Sequence, residues 1–359
     1  MYSLLLILLV SIPSLLPRPV AAADCTITEF SQVSSVVASC TDIVISELVV
    51  PGGEILELDL LPGTKVTFEG TTKFEYYYWA GPLIRVRGEN VHFKAAPGSV
   101  LDGQGALWWD GKGGAVPGKP YMIEIDVTGG LFEDIFLLNC PHHCVIISST
   151  DLILDRWTID VSQGNVGELG HNTDGFDVIY GHNVTIRNST VSNQDDCVAI
   201  NRGKGLTITQ MDCTGSHGLS ISVGFSKHSF LHNSVVDVVV EDSVLRDGAN
   251  GIHVKTHTDG YAGEIRNVVY RNIHMTGIER YGIQIQQDYP SGNGRPVGNI
   301  PITNLTFSNI TGTMTGRKST PVAITCAEHA CANWNWSGVF ITGAAKPSNC
   351  TYVPEGFDC

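Results

Sequence analysis

Runs of about four apolar or Thr residues, each entered or closed by Gly, Asn or Asp, recur along the chain in two interleaved sets. One set reads Asn183-Val-Thr-Ile, Gly205-Leu-Thr-Ile, Asp237-Val-Val-Val, Asn267-Val-Val-Tyr and Asn304-Leu-Thr-Phe; the other reads Cys197-Val-Ala-Ile, Gly218-Leu-Ser-Ile, Gly251-Ile-His-Val, Gly282-Ile-Gln-Ile and Pro321-Val-Ala-Ile. Such runs suit short strands, and the residues between them suit tight turns. Aligned by the second set, Asp174, Asp196, His217, Asn250 and Tyr281 fall on one repeat position, 21 to 33 residues apart. That period predicts a solenoid whose equivalent positions stack ~4.8 Å apart. Polar residues far apart in sequence then become neighbours.

Weaker copies run upstream through Asn90-Val-His-Phe, Gly130-Leu-Phe-Glu and Asp151-Leu-Ile-Leu. Helical periodicity is nearly confined to Thr28 to Ala38, where Phe30, Val33, Val36 and Val37 recur at helical spacing. A short helix there would cover the open N-terminal end of the solenoid, and the cysteine-rich stretch from Cys326 to Cys359 would cover the other. Gly111 to Pro120 is rich in Gly and Pro and reads as a loop over one face. The pattern is all-β, with one elongated domain over 24–359.

Met1 to Ala23 carries an apolar run at Leu4 to Val10 and ends in Val20-Ala21-Ala22-Ala23, which reads as a secretory signal peptide too short to span a bilayer. A secreted, extracellular chain with ten cysteines calls for disulfides. Proximity pairs Cys25 with Cys40, Cys140 with Cys144, Cys326 with Cys331 and Cys350 with Cys359, leaving Cys197 with Cys213. No CxxC pair supports a metal site, and no cofactor is implied. Six sequons, at Asn183, Asn188, Asn304, Asn309, Asn335 and Asn349, fit a glycosylated surface. The formal net charge of -14 argues against nucleic acid, which needs a basic footprint. A polyanionic substrate would need local cations.

Cleavage of a glycosidic bond needs one protonated carboxyl for the leaving oxygen and one carboxylate to activate water or attack carbon. Asp174, Asp195 and Asp196 supply three candidates on neighbouring coils, and packed together they cannot all ionise freely. An Asp/Asn turn ladder is the plainer reading of any one of them. His217 and Lys255 nearby give the trio a charge logic.

Asn172-Thr-Asp174, Asn193-Gln-Asp-Asp196, Gly215-Ser-His-Gly218, Lys255 and Tyr281 resemble the signatures of the polygalacturonases, glycoside hydrolase family 28. The similarity runs from about Cys25 to Cys359, with a cysteine arrangement like the fungal-type endo-acting branch. It implies a right-handed, single-stranded parallel β-helix, monomeric, that hydrolyses the α-1,4 bonds of polygalacturonic acid in pectin with inversion. On the matching positions, Asp195 would be the general acid, Asp174 and Asp196 would activate water, and His217 would help keep the acid protonated. Asn172 would position the trio or simply cap a turn. Lys255 would bind a galacturonate carboxylate, and Tyr281 would border the sugar or stack within the ladder. A plant polygalacturonase-inhibiting protein is the partner the resemblance adds; no membrane is implied.

Two positions depart from the family pattern. The family's Arg-Ile-Lys is here His253-Val-Lys255, replacing a fixed bidentate cation at the substrate-binding position by an imidazole that titrates near ~6.5 when free. Its Glu-Gln-Asp-Tyr is here Gln286-Gln-Asp-Tyr289, with one charge fewer. His253 is the feature that favours a second reading, a weakened homologue that binds pectic oligosaccharides or acts as an inhibitor decoy; the intact aspartates favour the enzyme. A third reading is hydrolysis of a related chain such as rhamnogalacturonan or short oligogalacturonides. Trp108 and Trp109 fit either a sugar platform or a buried turn anchor. Cys140-Pro-His-His-Cys144 reads as a local disulfide with two exposed histidines.

Overall fold

A computed structural model describes residues 25–359, so the predicted leader lies outside the described residues. Twenty-seven strands form one sheet in which neighbouring strands pair in parallel, each with the strands one coil before and after it. This is a parallel β-helix. Both sets of runs seen in the sequence are columns of that helix. Val184, Leu206, Val238, Val268 and Leu305 are in register on successive coils, as are Val198, Leu219, Ile252, Ile283 and Val322. The upstream copies join the first column through Val91, Gly130 and Leu152.

Each coil must reverse direction, and the same turn position is occupied by Asp151, Asn183, Gly205, Asp237, Asn267 and Asn304, all with φ between 54° and 69°. Only Gly, Asn and Asp adopt that left-handed backbone at little cost, which explains the punctuation of the sequence. The side chains also form a ladder: Asn183 donates to Asp151 at 2.6 Å, Asn267 to Asp237 at 2.8 Å and Asn304 to Asn267 at 2.9 Å. Inside, Phe93 and Phe132 are in register on successive coils and stack with centroids 4.9 Å apart, and Phe68 packs against Phe93 at a tilt, 5.1 Å away.

The N-terminal end is covered by a 3-10 turn, Phe30–Gln32, running into a helix, Val33–Val37, whose three valines are buried. Cys25–Cys40 ties that cap to the first coil. At the other end Trp334 and Trp336 are buried beneath Tyr352 and Phe357, with Cys326–Cys331 and Cys350–Cys359 closing the turns.

The disulfide expected between Cys140 and Cys144 is not formed; both thiols are free and buried. The two side chains serve as small fillers of the core, with the Cys144 Sγ facing the Thr173 carbonyl at 3.9 Å, and burial pushes that thiol well above its usual range. The histidines between them are not exposed either. His142 is buried and His143 is about a quarter exposed. Trp108 and Trp109 are turn anchors rather than a platform, their ring N–H groups donating to the Tyr77 and Cys140 carbonyls at 3.1 Å each.

Candidate active site

One face of the helix carries a cleft of about 1030 Å³. Its floor is the polar column predicted from the repeat. The pairings Phe176 to Val198 and Val198 to Leu219 set Asp174, Asp196 and His217 level on adjacent coils, and Asn250 pairs with Tyr281 directly. The column also extends upstream. Val145 pairs with Phe176 and with Ile123, so His143 and Tyr121 occupy the same position on the two preceding coils. Both line the cleft and both were missed in the sequence.

Asp195 sits beside this column, held from three directions. Its Oδ2 accepts from Asn172 Nδ2 at 3.0 Å, and its Oδ1 is 3.0 Å from His217 Nδ1 and accepts from the Asp196 N–H at 2.8 Å. Asn172 is itself fixed by the 111–120 loop, whose Gly114 N–H donates to its Oδ1 at 3.0 Å. The loop therefore acts on the site through Asn172. Below, Asn193 Nδ2 donates to the Thr173 and Asp196 carbonyls at 2.9 Å each, locking the two acidic turns together. The Cys197–Cys213 bond fixes the residue after Asp196 to the next coil.

Asp196 is buried, with its Oδ2 accepting from Lys255 Nζ at 3.0 Å and its Oδ1 from Ser220 Oγ at 2.6 Å. Lys255 is thus bound into the carboxylate cluster rather than left free in the cleft. Asp174 is buried with an Oδ1 that no donor meets. Its nearest cation is His143, whose Nδ1 lies 3.6 Å from that oxygen and 2.5 Å from Asp177 Oδ2.

Burial raises all three aspartates, and their neighbours then separate them. For Asp174, burial and the charges of Asp195 and Asp177 prevail, leaving it well above the usual range. Asp196 is raised by burial against the pull of Lys255. For Asp195, burial is outweighed by the hydrogen bond and charge of His217 and by Lys255, which hold it down to about 2. The same pairing outweighs burial to raise His217. Burial likewise opposes charge on His143, but Asp177 and Asp174 push it up to about 10. In the free protein Asp174, Asp196 and the two imidazoles are thus all better placed to hold the cluster's protons than Asp195.

His253 corrects an expectation. It is 7 % exposed, its Nε2 is buried without a partner, and burial with the charges of Lys255 and His217 holds it well below its ordinary value. The ring is neutral, so it does not replace an arginine as a cation near neutral pH. Tyr281 is half-buried at the far end of the column and lines the cleft. His143, Asp174 and Asp177, and separately Asp195, Asp196 and His217, offer atoms within 4.8 Å of one another. In each group one imidazole nitrogen and one carboxylate oxygen are already joined by a direct hydrogen bond.

Residues 40–359 match the model of the glycosyl hydrolases family 28. The polygalacturonase of Phaedon cochleariae is 50% identical over 349 residues, covering 95% of each chain. The endopolygalacturonase I of Aspergillus niger is 41% identical, covering 94% of this chain and 92% of its own. Among solved structures, endopolygalacturonase I from Stereum purpureum, complexed with two galacturonate, superposes with a TM-score of 0.81 at 31% identity over 90% of this chain and 96% of that one.

Proposed function

Because the chain belongs to glycosyl hydrolases family 28, we propose that it is a secreted hydrolase cutting the α-1,4 galacturonosidic bonds of polygalacturonate within the chain. One observation carries the reading: three carboxylates, Asp174, Asp195 and Asp196, meet on the floor of a long cleft with cations placed to divide them into a proton carrier and bases. The column from Tyr121 to Tyr281 spans six coil intervals, roughly 29 Å at ~4.8 Å each, which suits a polymer lying along the axis. Its relatives named as endopolygalacturonases support cleavage inside the polymer.

Asp195 is the general acid. Its proton comes from His217, whose Nδ1 lies 3.0 Å from the Asp195 Oδ1. A polyanionic substrate that displaces water weakens the hold on the ionised carboxylate and moves that proton onto Asp195. Asp196, bound to Lys255, and Asp174, with the His143 Nδ1 3.6 Å away, activate water, and direct displacement by water inverts the anomeric carbon. A second assignment is favoured by the resting electrostatics, in which Asp174 carries the proton and donates it.

Variants separate the two. General acid help is worth about 10² to 10⁴ in rate, so Asp195→Asn should lose that much on polygalacturonate. It should recover most of it on an oligogalacturonide bearing an aryl leaving group, which needs no protonation. Asp174→Asn should stay inactive on both. Recovery by Asp174→Asn instead would exchange the two roles.

A further inference from the structure

Arg202 follows the strand Val198–Ile200 on the same coil as Asp195 and Asp196 and lines the cleft. Its guanidinium lies 4.5 Å over the ring of Tyr180, the residue level with it on the preceding coil, where the Gly181 N–H donates to the Arg202 carbonyl at 3.1 Å. No carboxylate of the described residues is within ion-pair distance of Arg202, and its Nε is buried without an acceptor. Seven other arginines, from Arg85 to Arg271, each pair with a carboxylate. The cleft's lysines are also occupied, Lys255 by Asp196 and Lys227 by Asp259.

Two cleft-lining arginines, Arg202 and Arg280, are thus left without an ion pair among the described residues in a chain with 36 acidic against 22 basic residues, and of the two it is Arg202 whose guanidinium is seated over an aromatic ring. Stacking on an aromatic face fixes the plane of a guanidinium while leaving its forked donors unused. That fork matches a carboxylate in two parallel hydrogen bonds, and a buried donor without an acceptor is a cost that such a ligand removes. A scaffolding role fits poorly, because the side chain makes no hydrogen bond that would hold the fold.

We infer that Arg202 is a specificity-determining residue that binds the free carboxylate of a galacturonate unit lying in the cleft, and so contributes to the choice of de-esterified polymer. This rests on the polygalacturonate reading. Neutralising that carboxylate as a methyl ester removes the charge the fork recognises.

The test uses full-length protein carrying Asp195→Asn, so that ligand is bound but not turned over, and measures oligogalacturonate affinity by calorimetry. Adding Arg202→Gln should weaken binding at least tenfold, Arg202→Lys should fall between, and Arg295→Gln, at an exposed arginine that does not line the cleft, should change nothing. With the methyl-esterified oligomer the Arg202 variants should bind alike. Equal affinity for the free acid with and without Arg202→Gln, at unchanged melting temperatures, overturns the inference while wild-type release of reducing ends from polygalacturonate keeps the broader reading intact. If wild type releases none and the Asp195→Asn protein binds no oligogalacturonate, both fall.

Discussion

His253 shares the cleft floor with Lys255 two residues on and His217 on the neighbouring coil, and it is almost wholly covered. Placing a second positive charge there would cost more than a solvated imidazole costs, so the ring stays neutral. Consequently KM for polygalacturonate should not follow a histidine titration at this position. His253→Gln should keep the wild-type KM within about twofold from about pH 5 to about pH 8, whereas a titrating substrate contact would raise wild-type KM alone as pH increases. Steady-state kinetics of the two proteins across that range decides the matter. The sequence named the position but not the charge state, because a fixed order of residues does not tell how deeply a side chain is covered. His143 was missed for a different reason. Its place between two cysteines drew attention to the local motif, while the strand Val145–Asp155 that follows was the signal that would have aligned it with Asp174.

At the scale of elements, the coil columns were legible because a parallel stack demands the same residue class at the same step of each turn. Val184 to Leu305 and Val198 to Val322 could be aligned by eye, and the left-handed turn position between them is marked by Asn, Asp or Gly. What could not be read was the state of pairs that share a turn without repeating. Cys140 and Cys144 are close in sequence, as are Cys326 and Cys331, yet only the second pair is bonded. The first pair is packed under the carboxylate floor, where Cys144 lies against Thr173 and its amide donates to the Asp174 carbonyl at 2.8 Å. A thiol in that position is shielded from reagents until the coil opens. Alkylation without reductant should therefore add nothing to the native protein and two labels to the denatured one, as read by intact mass. No label after denaturation would mean that the two sulfurs are bonded.

For the whole molecule, the same buried cluster that equips the cleft sets how stability varies with pH. His143 has a folded pKa of about 10 against 6.5 when exposed, so its ion pairs with Asp177 and Asp174 stabilise fully below pH 6.5 and are lost as pH rises through about 10. His217 is raised as well and acts in the same direction above 6.5, while the raised Asp174 and Asp196 keep protons that the unfolded chain releases, so their contribution begins to fall as pH rises above 3.8. On the acid side the order reverses. His142, held to about 3, and His257, held to about 4, are neutral when folded and must take up protons on unfolding, so they stabilise above 6.5 and lose that contribution as pH falls. Asp195, held to about 2, also loses its contribution as pH drops below 3.8. Stability should therefore decline toward both extremes of pH. The alkaline decline carries the sharper test because His143 has a defined window there, from 6.5 to about 10. A rise from 6.5 to about 10 on a largely covered imidazole amounts to a few kcal/mol, on the order of 3 after allowance for its partial exposure. Between pH 6.5 and 10 the melting temperature of the wild type should fall by several degrees. His143→Gln should start lower and decline less over the same interval, since it has no proton to lose. Parallel melting curves for the two proteins, or a wild type that gains stability toward pH 10, would show that the His143 pairs do not exist in solution as described.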